Sequence, residues 1–562
     1  MSRKAYLIGG GVGSLAAAFF LIRDAGFDGK DIKIFEDLQV TGGSCDGNGS
    51  VTEGFLCRGG RMLNAPTYEC LHAMLKEIPS IQAPGKSVFQ EIEDFNKVMK
   101  THANSRVVDK NGCRLDVDTM GFNMRDRMQL LALNRASEKE VGNSLITDWF
   151  SPEFFKTTFW WMWATTFAFQ PWHSALELKR YNSRFLHEFS RIQTLEGVER
   201  TPMNQYDSII APIIEWLKAR NVQVDFGCCV EDVIMDEQSG KLTAKKISYK
   251  KNGKMETVTV GPSDLVFIQN GSMTDASSIG SWKKPAVQKG IEDATSFKVW
   301  EKLAARHEQM GNPKSFTKNV TESQWQSFTV TMKNPALFKA FTDYQMNEPG
   351  TGALMTFKDS NWFMSIVIAY QPHFVGQNKD TQIMWGYGLC PNKIGNYVNK
   401  RMLDCTGEEI FYELCQHCRI APELVHDVIN IPCIMPFITS MFMPRLESDR
   451  PLPVPKNSTN FGFISQFVEI PHDVVFTVEF SVRAAQTAVY KLCDVKKKVP
   501  KVSRHDHNPV WLLKALKKAF VGGSGTKIEK QNRQKKCCLC KLTKLAAVAG
   551  IGAGIAYLIQ NK

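Results

Sequence analysis

The chain opens with apolar and polar segments in a regular order. Ala5–Ile8, "AYLI", is an unbroken apolar run of strand length. Glycines at positions 9, 10, 11 and 13 interrupt it, and "SLAAAFFLI" from Ser14 then has helical composition. A second apolar run, Ile32–Phe35, ends on Glu36. Strand, glycine turn, helix and strand in that order predict a nucleotide-binding βαβ unit. Farther on, "EWLKARNVQVDFGCCVEDVI" predicts a helix then a strand, and "DLVFIQNGS" a buried strand closed by a polar turn. "NFGFISQFVEIPHDVVFTVEFSVRAAQTAVYKL" reads as strand, polar turn, helix. This alternation predicts an α/β fold. No internal repeat is visible.

One segment departs from that rhythm. "FWWMWATTFAFQPWH" crowds Phe159, Trp160, Trp161, Trp163, Phe167, Phe169 and Trp172 together. Two readings stand: a core helix, or one wall of a pocket for an apolar ligand.

The glycine turn carries candidate chemistry. Without Cβ atoms, Gly9 and Gly11 let the backbone approach a pyrophosphate. The helix after them would aim free N–H groups and a positive dipole at it. Glu36 is placed to bond ribose hydroxyls, which disfavours a 2′-phosphate and hence NADP. The pattern is G-x-G-x-x-S, with Ser14 at the third small position. The acid lies 27 residues after Gly9, against the usual ~20. This stretch alone does not separate FAD from NAD. A second glycine pair, Gly42–Gly43, the run Arg58-Gly59-Gly60-Arg61 and the C-terminal strand–helix unit favour FAD.

Length and composition bound the rest. A chain of 562 residues, 43% hydrophobic and 22% charged, is too apolar to be mostly disordered. Length alone predicts several domains. Fifteen scattered cysteines fit a reducing compartment better than a disulfide framework. "CQHC", residues 415–418, is isolated in a helix-like stretch and reads as structural, so no metal site is expected. The N-terminus shows no secretory signal, which predicts a cytoplasmic body.

The net charge of +12 sits in the tail: residues 491–562 hold 17 Lys/Arg and 3 Asp/Glu, leaving the preceding body at −2. No nucleic-acid partner is therefore expected of the body. In "WLLKALKKAF", Trp511, Leu512, Ala515, Leu516 and Ala519 share one helical face and Lys514, Lys517 and Lys518 oppose them. That composition predicts a helix lying in an anionic membrane surface, or else one docked on the protein's own core. Leu545–Ile559 is an uncharged run of 15 residues, about 22 Å as helix against a bilayer core of about 30 Å. Cys537, Cys538 and Cys540 beside it are candidates for acylation.

A resemblance sharpens the picture. "GGGVGSLAAAFFLIRD", "GGSCDG", "RGGRMLN", "MNQYDSII", "NGSMTDASSIG", "QPHF", "WGYGL", "MPRLESDRP" and "FVEIPHDVVFTVEFSVRAAQTAVYKL" resemble, in that order, the oleate hydratase family, also called myosin-cross-reactive antigen. The likeness runs from about residue 3 to about residue 495. It implies an FAD-binding Rossmann-type flavoprotein that adds water to a cis double bond of a free unsaturated fatty acid without net redox chemistry. It implies that Gly9, Gly11, Gly13, Ser14, Glu36, Gly43, Ser44, Arg61, Met62, Val230, Ser272 and Ser465 bind FAD.

The resemblance also implies a catalytic acid, Tyr181, next to the cations Lys179 and Arg180, which would make the phenol more acidic. The family's water-orienting glutamate follows the arginine of RGGR. Met62 stands there, so Asn64, Glu69, a flavin atom or a backbone carbonyl would have to replace it. The family's T-x-N-x-x-x-H carboxylate site keeps only His373, with Val367 and Ala369 at the other two places. The head group is then expected nearer Tyr370, Gln371 or an arginine, so that His373 and Gln371 bind the substrate at that end and Tyr181 at the reacting double bond.

The expected organisation is a discontinuous FAD domain (1–130, 200–290 and 455–495), a fatty-acid domain (131–199 and 291–454) and a basic helical membrane-associating tail (496–562). A homodimer is left open. Two further readings share this architecture: a flavin-dependent lipid desaturase or isomerase, and a membrane-docked fatty-acid-binding flavoprotein without catalysis.

Overall fold

The computed structural model describes residues 3–60 and 62–520. Five strands form a wholly parallel sheet in the order Phe461–Phe463, Leu265–Ile268, Ala5–Ile8, Ile32–Phe35, Gln223–Asp225. Ala5–Ile8 and Leu265–Ile268 are buried throughout, as strands covered on both faces must be. Ile8 lies opposite both Ile268 and Phe35, so three strands end at one level. The strand order reverses between the first strand and Leu265–Ile268, and ligands of such sheets bind beyond the carboxyl ends at that reversal.

The helix Val12–Ala25 follows the first strand; its residues Val12 to Leu21 are all buried. It packs against Val478–Leu492, the helix that returns from the last strand. Gly26, left-handed at φ 72°, ends the first helix by donating its N–H to Leu21 O.

A second sheet of seven strands is mainly antiparallel. Its centre is Trp325–Met332, between Val428–Met435 and Gln382–Gly388. A three-stranded meander, Cys228–Gln238, Lys241–Lys251 and Lys254–Thr259, stands apart from both. The aromatic-rich segment is the helix Thr158–Phe167. Phe159, Trp160, Trp163 and Phe169 are core residues, while Thr166 and Phe167 at its end face a recess. The core reading holds for most of the segment, and only its end borders a recess. Cys415 and Cys418 are buried at the end of the helix Gly407–Cys418, and no metal-binding cluster occurs among the described residues.

The tail helix Pro509–Phe520 lies against the turn Leu186–Phe189. Trp511 stands 6.0 Å from the His187 ring, Ala515 is buried, and Arg127 donates to Ala519 O at 2.8 Å. The apolar face expected in a membrane interface therefore covers the protein's own body. Val510 and Leu513 remain exposed with Lys514 and Lys517. No helix among the described residues is long and apolar enough to cross a membrane. Leu545–Ile559 and the three tail cysteines lie outside the described residues.

Candidate active site

Beyond the ends of the parallel strands runs a chain of connected hollows. The first, of about 280 Å³, is lined by Gly9, Gly11, Glu36, Val230, Gln269 and Ser272, among others. The next, of about 50 Å³, lies over the first helix's N-terminus between Gly11, Gly13, Gly43, Ser44, Ser272 and Ser465. It shares Gly11, Gly43, Gln269, Gly271 and Ser272 with the first.

Gly11 caps the helix with extended backbone, no side-chain cap and no acid in the first turn, so the N-terminal dipole is left for an anion. Gly9 and Gly43 are left-handed at φ 85° and 57°. At Gly13 a Cβ would stand 2.1 Å from Ile464 O. The close-packing position of this turn is thus Gly13. Ser14 is fully buried and its Oγ accepts from Gln269 Nε2 at 3.2 Å. Glu36 accepts the N–H groups of Gly10 at 2.6 Å and Leu38 at 2.8 Å. Burial raises its carboxyl, and those two donors partly offset this. Oε2 takes the Gly10 bond and Oε1 the Leu38 bond, and a carboxylate so held keeps further acceptor capacity. The glycine cradle, the open helix end and the acid beyond the second strand fit an extended dinucleotide. Arg61 lies outside the described residues.

A third recess, of about 90 Å³, adjoins the second through Phe476, Thr477 and Val478. It brings Tyr181, Met62 and Asn64 together with Phe167, Phe185 and Glu188. Tyr181 sits on the helix Ala175–Arg184, is 1% exposed, and donates its hydroxyl to Val475 O. Burial first, then Tyr68, Glu177 and Asp473, raise its phenol well above the ordinary value, with Arg450 opposing. The expectation of an acidified phenol is corrected. Arg180 is spent on Glu138 and Glu469, each at 2.7 Å, and Lys179 bonds Asn134 O at 2.6 Å.

The candidates for holding water also separate. Asn64 donates to Glu188 Oε1 at 2.9 Å and Gly197 O at 3.3 Å, and its Oδ1 meets Thr67 Oγ1 at 2.8 Å and His187 Nε2 at 3.1 Å. Its amide is used up. Glu69 is held by Arg184, Arg483 and Ser503 and does not line the recess. Glu188 does line it. Sequence reasoning missed it, although it lies seven residues beyond Tyr181, two helical turns on. Burial pushes its carboxyl up, but His187 and Arg191 outweigh that and hold it down at about 2.

A fourth recess, of about 50 Å³, meets the third at Gly60. It is lined by His373 and Tyr370 with Val367, Ala369, Arg200, Gln205 and Trp385. Burial, then Arg200, lowers the His373 imidazole to about 4. Burial lowers Arg200 to about 10. Among the described residues no carboxylate pairs with Arg200; its Nε, the Gln205 amide and Trp385 Nε1 are buried without a hydrogen-bond partner. Gln371 is not brought here. Its amide bonds Ala369 O, Ile383 N, Ile383 O and Gln377, holding the adjacent loop. Gln205 was within reach of sequence reasoning: it lies inside "MNQYDSII", at the start of the π-helical turn Tyr206–Ile210.

Comparison with known proteins bears on these hollows. The MCRA family model matches residues 2–490. The chain is 37% identical to an oleate hydratase of Streptococcus pyogenes over 92% of its own length and 89% of that protein. It is 34% identical to a linoleate hydratase of Lactiplantibacillus plantarum over 92% of its length and 98% of that protein. In fold it is similar to an oxidoreductase from Methanosarcina mazei, with TM-score 0.50 at 14% identity over 87% of this chain and 100% of that one. A cyclohexylamine oxidase from Brevibacterium oxydans has TM-score 0.50 at 12% identity, covering 88% and 99%.

Proposed function

The chain belongs to the MCRA family, and from that premise we propose that it is a fatty-acid hydratase. It adds water across a cis double bond of a free unsaturated fatty acid such as oleate, with FAD bound and no net redox change. The observation that carries this reading is the Tyr181 recess, which is mainly apolar, adjoins the dinucleotide cleft, and shares Gly60 with a recess holding Arg200, an arginine with no carboxylate partner among the described residues.

Gly11, Gly13 and the first helix's N-terminus would hold the FAD pyrophosphate, and Glu36 the ribose. Bound there, FAD would shape and polarise the site without transferring a hydride to the substrate. Arg200, Gln205, Trp385 and His373 receive the substrate carboxylate. This replaces the polar residues whose places Val367 and Ala369 take. Tyr181 gives its hydroxyl proton to one alkene carbon, and the π electrons form that C–H bond. A water lone pair forms the C–O bond at the other carbon. The proton released by that water restores the tyrosine, so nothing is oxidised or reduced. A phenol raised by burial stays protonated until it acts, though as a weaker acid than a free phenol.

In this reading residues 1–130, 200–290 and 455–495, which include all five parallel strands, hold FAD, and 131–199 and 291–454 hold the acyl chain. Attachment to an anionic membrane, with the body on the cytoplasmic side, would rest on the basic residues beyond Phe520 together with exposed Lys514 and Lys517. The test is purified protein with FAD, reductant and oleate in heavy-oxygen water. A hydroxy fatty acid carrying one heavy oxygen, formed without consumption of an electron acceptor, is expected. Unlabelled product, or turnover tied to flavin reoxidation, refutes the reading.

A further inference from the structure

We infer that Glu188 holds the attacking water, in the role that a carboxylate at position 62 would otherwise fill; this rests on the hydratase reading above. Met62 can neither accept nor carry a proton. Among the described residues lining the Tyr181 recess, Glu188 is the one acid. The hydroxyls there are committed to backbone: Thr166 to Met162 O at 2.7 Å, Thr477 to Val474 O at 3.1 Å and Tyr68 to Met62 O at 3.2 Å.

The bonding of Glu188 leaves an acceptor site on one oxygen. Oε1 is crowded by Asn64 Nδ2 at 2.9 Å, Arg191 at 2.6 Å and His187 Nε2 at 3.2 Å. Oε2 takes Arg191 Nε at 2.8 Å. An ionised carboxylate has about four acceptor sites, two on each oxygen, so Oε2 keeps one. Gly197 leaves space for this carboxylate: a Cβ there would stand 2.1 Å from Oε1. Three donors fix the group, so little reorganisation is needed when a water binds.

A carboxylate so strongly paired accepts a hydrogen bond and does not retain the proton. As the water oxygen bonds to carbon it becomes positive, and Oε2 stabilises that charge. The proton then returns to the Tyr181 oxygen, which gave one to the other carbon. Glu188 ends as it began.

Glu188→Gln keeps the shape and an acceptor oxygen but removes the charge. Turnover of oleate should fall about 10²-fold, within the 10²–10⁴ range of such groups, with KM and flavin content nearly unchanged. Met62→Glu in that background supplies a carboxylate from the other side and should recover about a tenth or more of the lost rate. Two results overturn the inference. One is Glu188→Gln turnover within about threefold of wild type. The other is lost turnover together with lost flavin or substrate affinity and no rescue by Met62→Glu, which marks a structural residue. Wild type that makes no labelled product in heavy-oxygen water brings down the hydratase reading itself, and this inference with it.

Discussion

Replacing Gly13 by alanine adds one methyl group beneath the dinucleotide cleft. Its Cβ would stand 2.1 Å from Ile464 O, where real Cβ atoms essentially never come within 3.0 Å, so about 0.9 Å must be found. The carbonyl has little freedom, because Ile464 N–H is bonded to Ile268 O at 3.0 Å at the end of the parallel sheet. The helix has little more, being buried from Val12 to Leu21 and backed by Val478–Leu492. Forcing one extra carbon into such packing costs about 1–3 kcal/mol. If the strain is relieved when the helix N-terminus backs away from the pyrophosphate, FAD binds about 5- to 150-fold more weakly. If the helix stays, the same energy appears as lost stability and a lower Tm. Flavin-to-protein absorbance after desalting and a thermal melt read the two outlets. By contrast Gly11→Ala meets only the end of the Gln269 side chain, Oε1 at 2.8 Å, which can swing aside. It should be the milder of the pair. Wild-type flavin retention by Gly13→Ala, with Tm within about 1 °C, would refute the packing argument.

Other perturbations separate the parts of the site. Tyr181→Phe removes the hydroxyl bonded to Val475 O; turnover should drop about 10²–10⁴-fold with FAD and oleate still bound, and unchanged turnover removes it from the chemistry. Arg200→Met removes the cation of the Gly60 recess; KM for oleate should rise about 10- to 100-fold while kcat and reaction with the methyl ester hold. Equal losses on acid and ester would count against a carboxylate seat. Ending the chain after Phe520 leaves the docked helix in place, so binding to anionic vesicles should disappear while FAD and turnover persist. Undiminished vesicle sedimentation would move the membrane contact to the body.

What the sequence made legible was local. The glycine turn, its flanking strands and Glu36 lie within one short stretch, and the dihedral demands of that turn leave few residues to choose from. It misplaced one role: Gly13, not Ser14, meets the neighbouring strand end, because contact across the sheet depends on Ile464, far away in the chain. The same distance hid Arg200, which reaches the recess beside His373 only through folding. Neighbours in sequence misled as well. Lys179 and Arg180 adjoin Tyr181, but on a helix adjacent residues point apart, and both are drawn to other partners. Asn64 stands near Met62, yet its hydrogen-bonding capacity was already spent. Periodicity found the apolar face of Trp511 and Leu512. It carries no information on whether that face is covered by lipid or by protein.

The helical run with Tyr181 and Glu188 explains why such distant motifs belong to one site. On one side, Arg180 pairs with Glu469, Arg445 with Glu469 and Glu177, and Arg450 with Glu177, all buried. The arginines of "MPRLESDRP" are thereby tied to the Tyr181 helix. Buried pairs of this kind add little net stability, but removing one partner costs about 3–5 kcal/mol because the other charge is left in a dry interior. The network therefore makes a displaced Tyr181 helix costly. On the other side, Arg184 donates to Ser503 O at 2.9 Å, and the His187 ring stands 4.0 Å from that of His505. His187 in turn touches Asn64 and Glu188. The segment leading into the tail helix thus buttresses the residue that positions Glu188. Part of the tail is therefore structural to the recess.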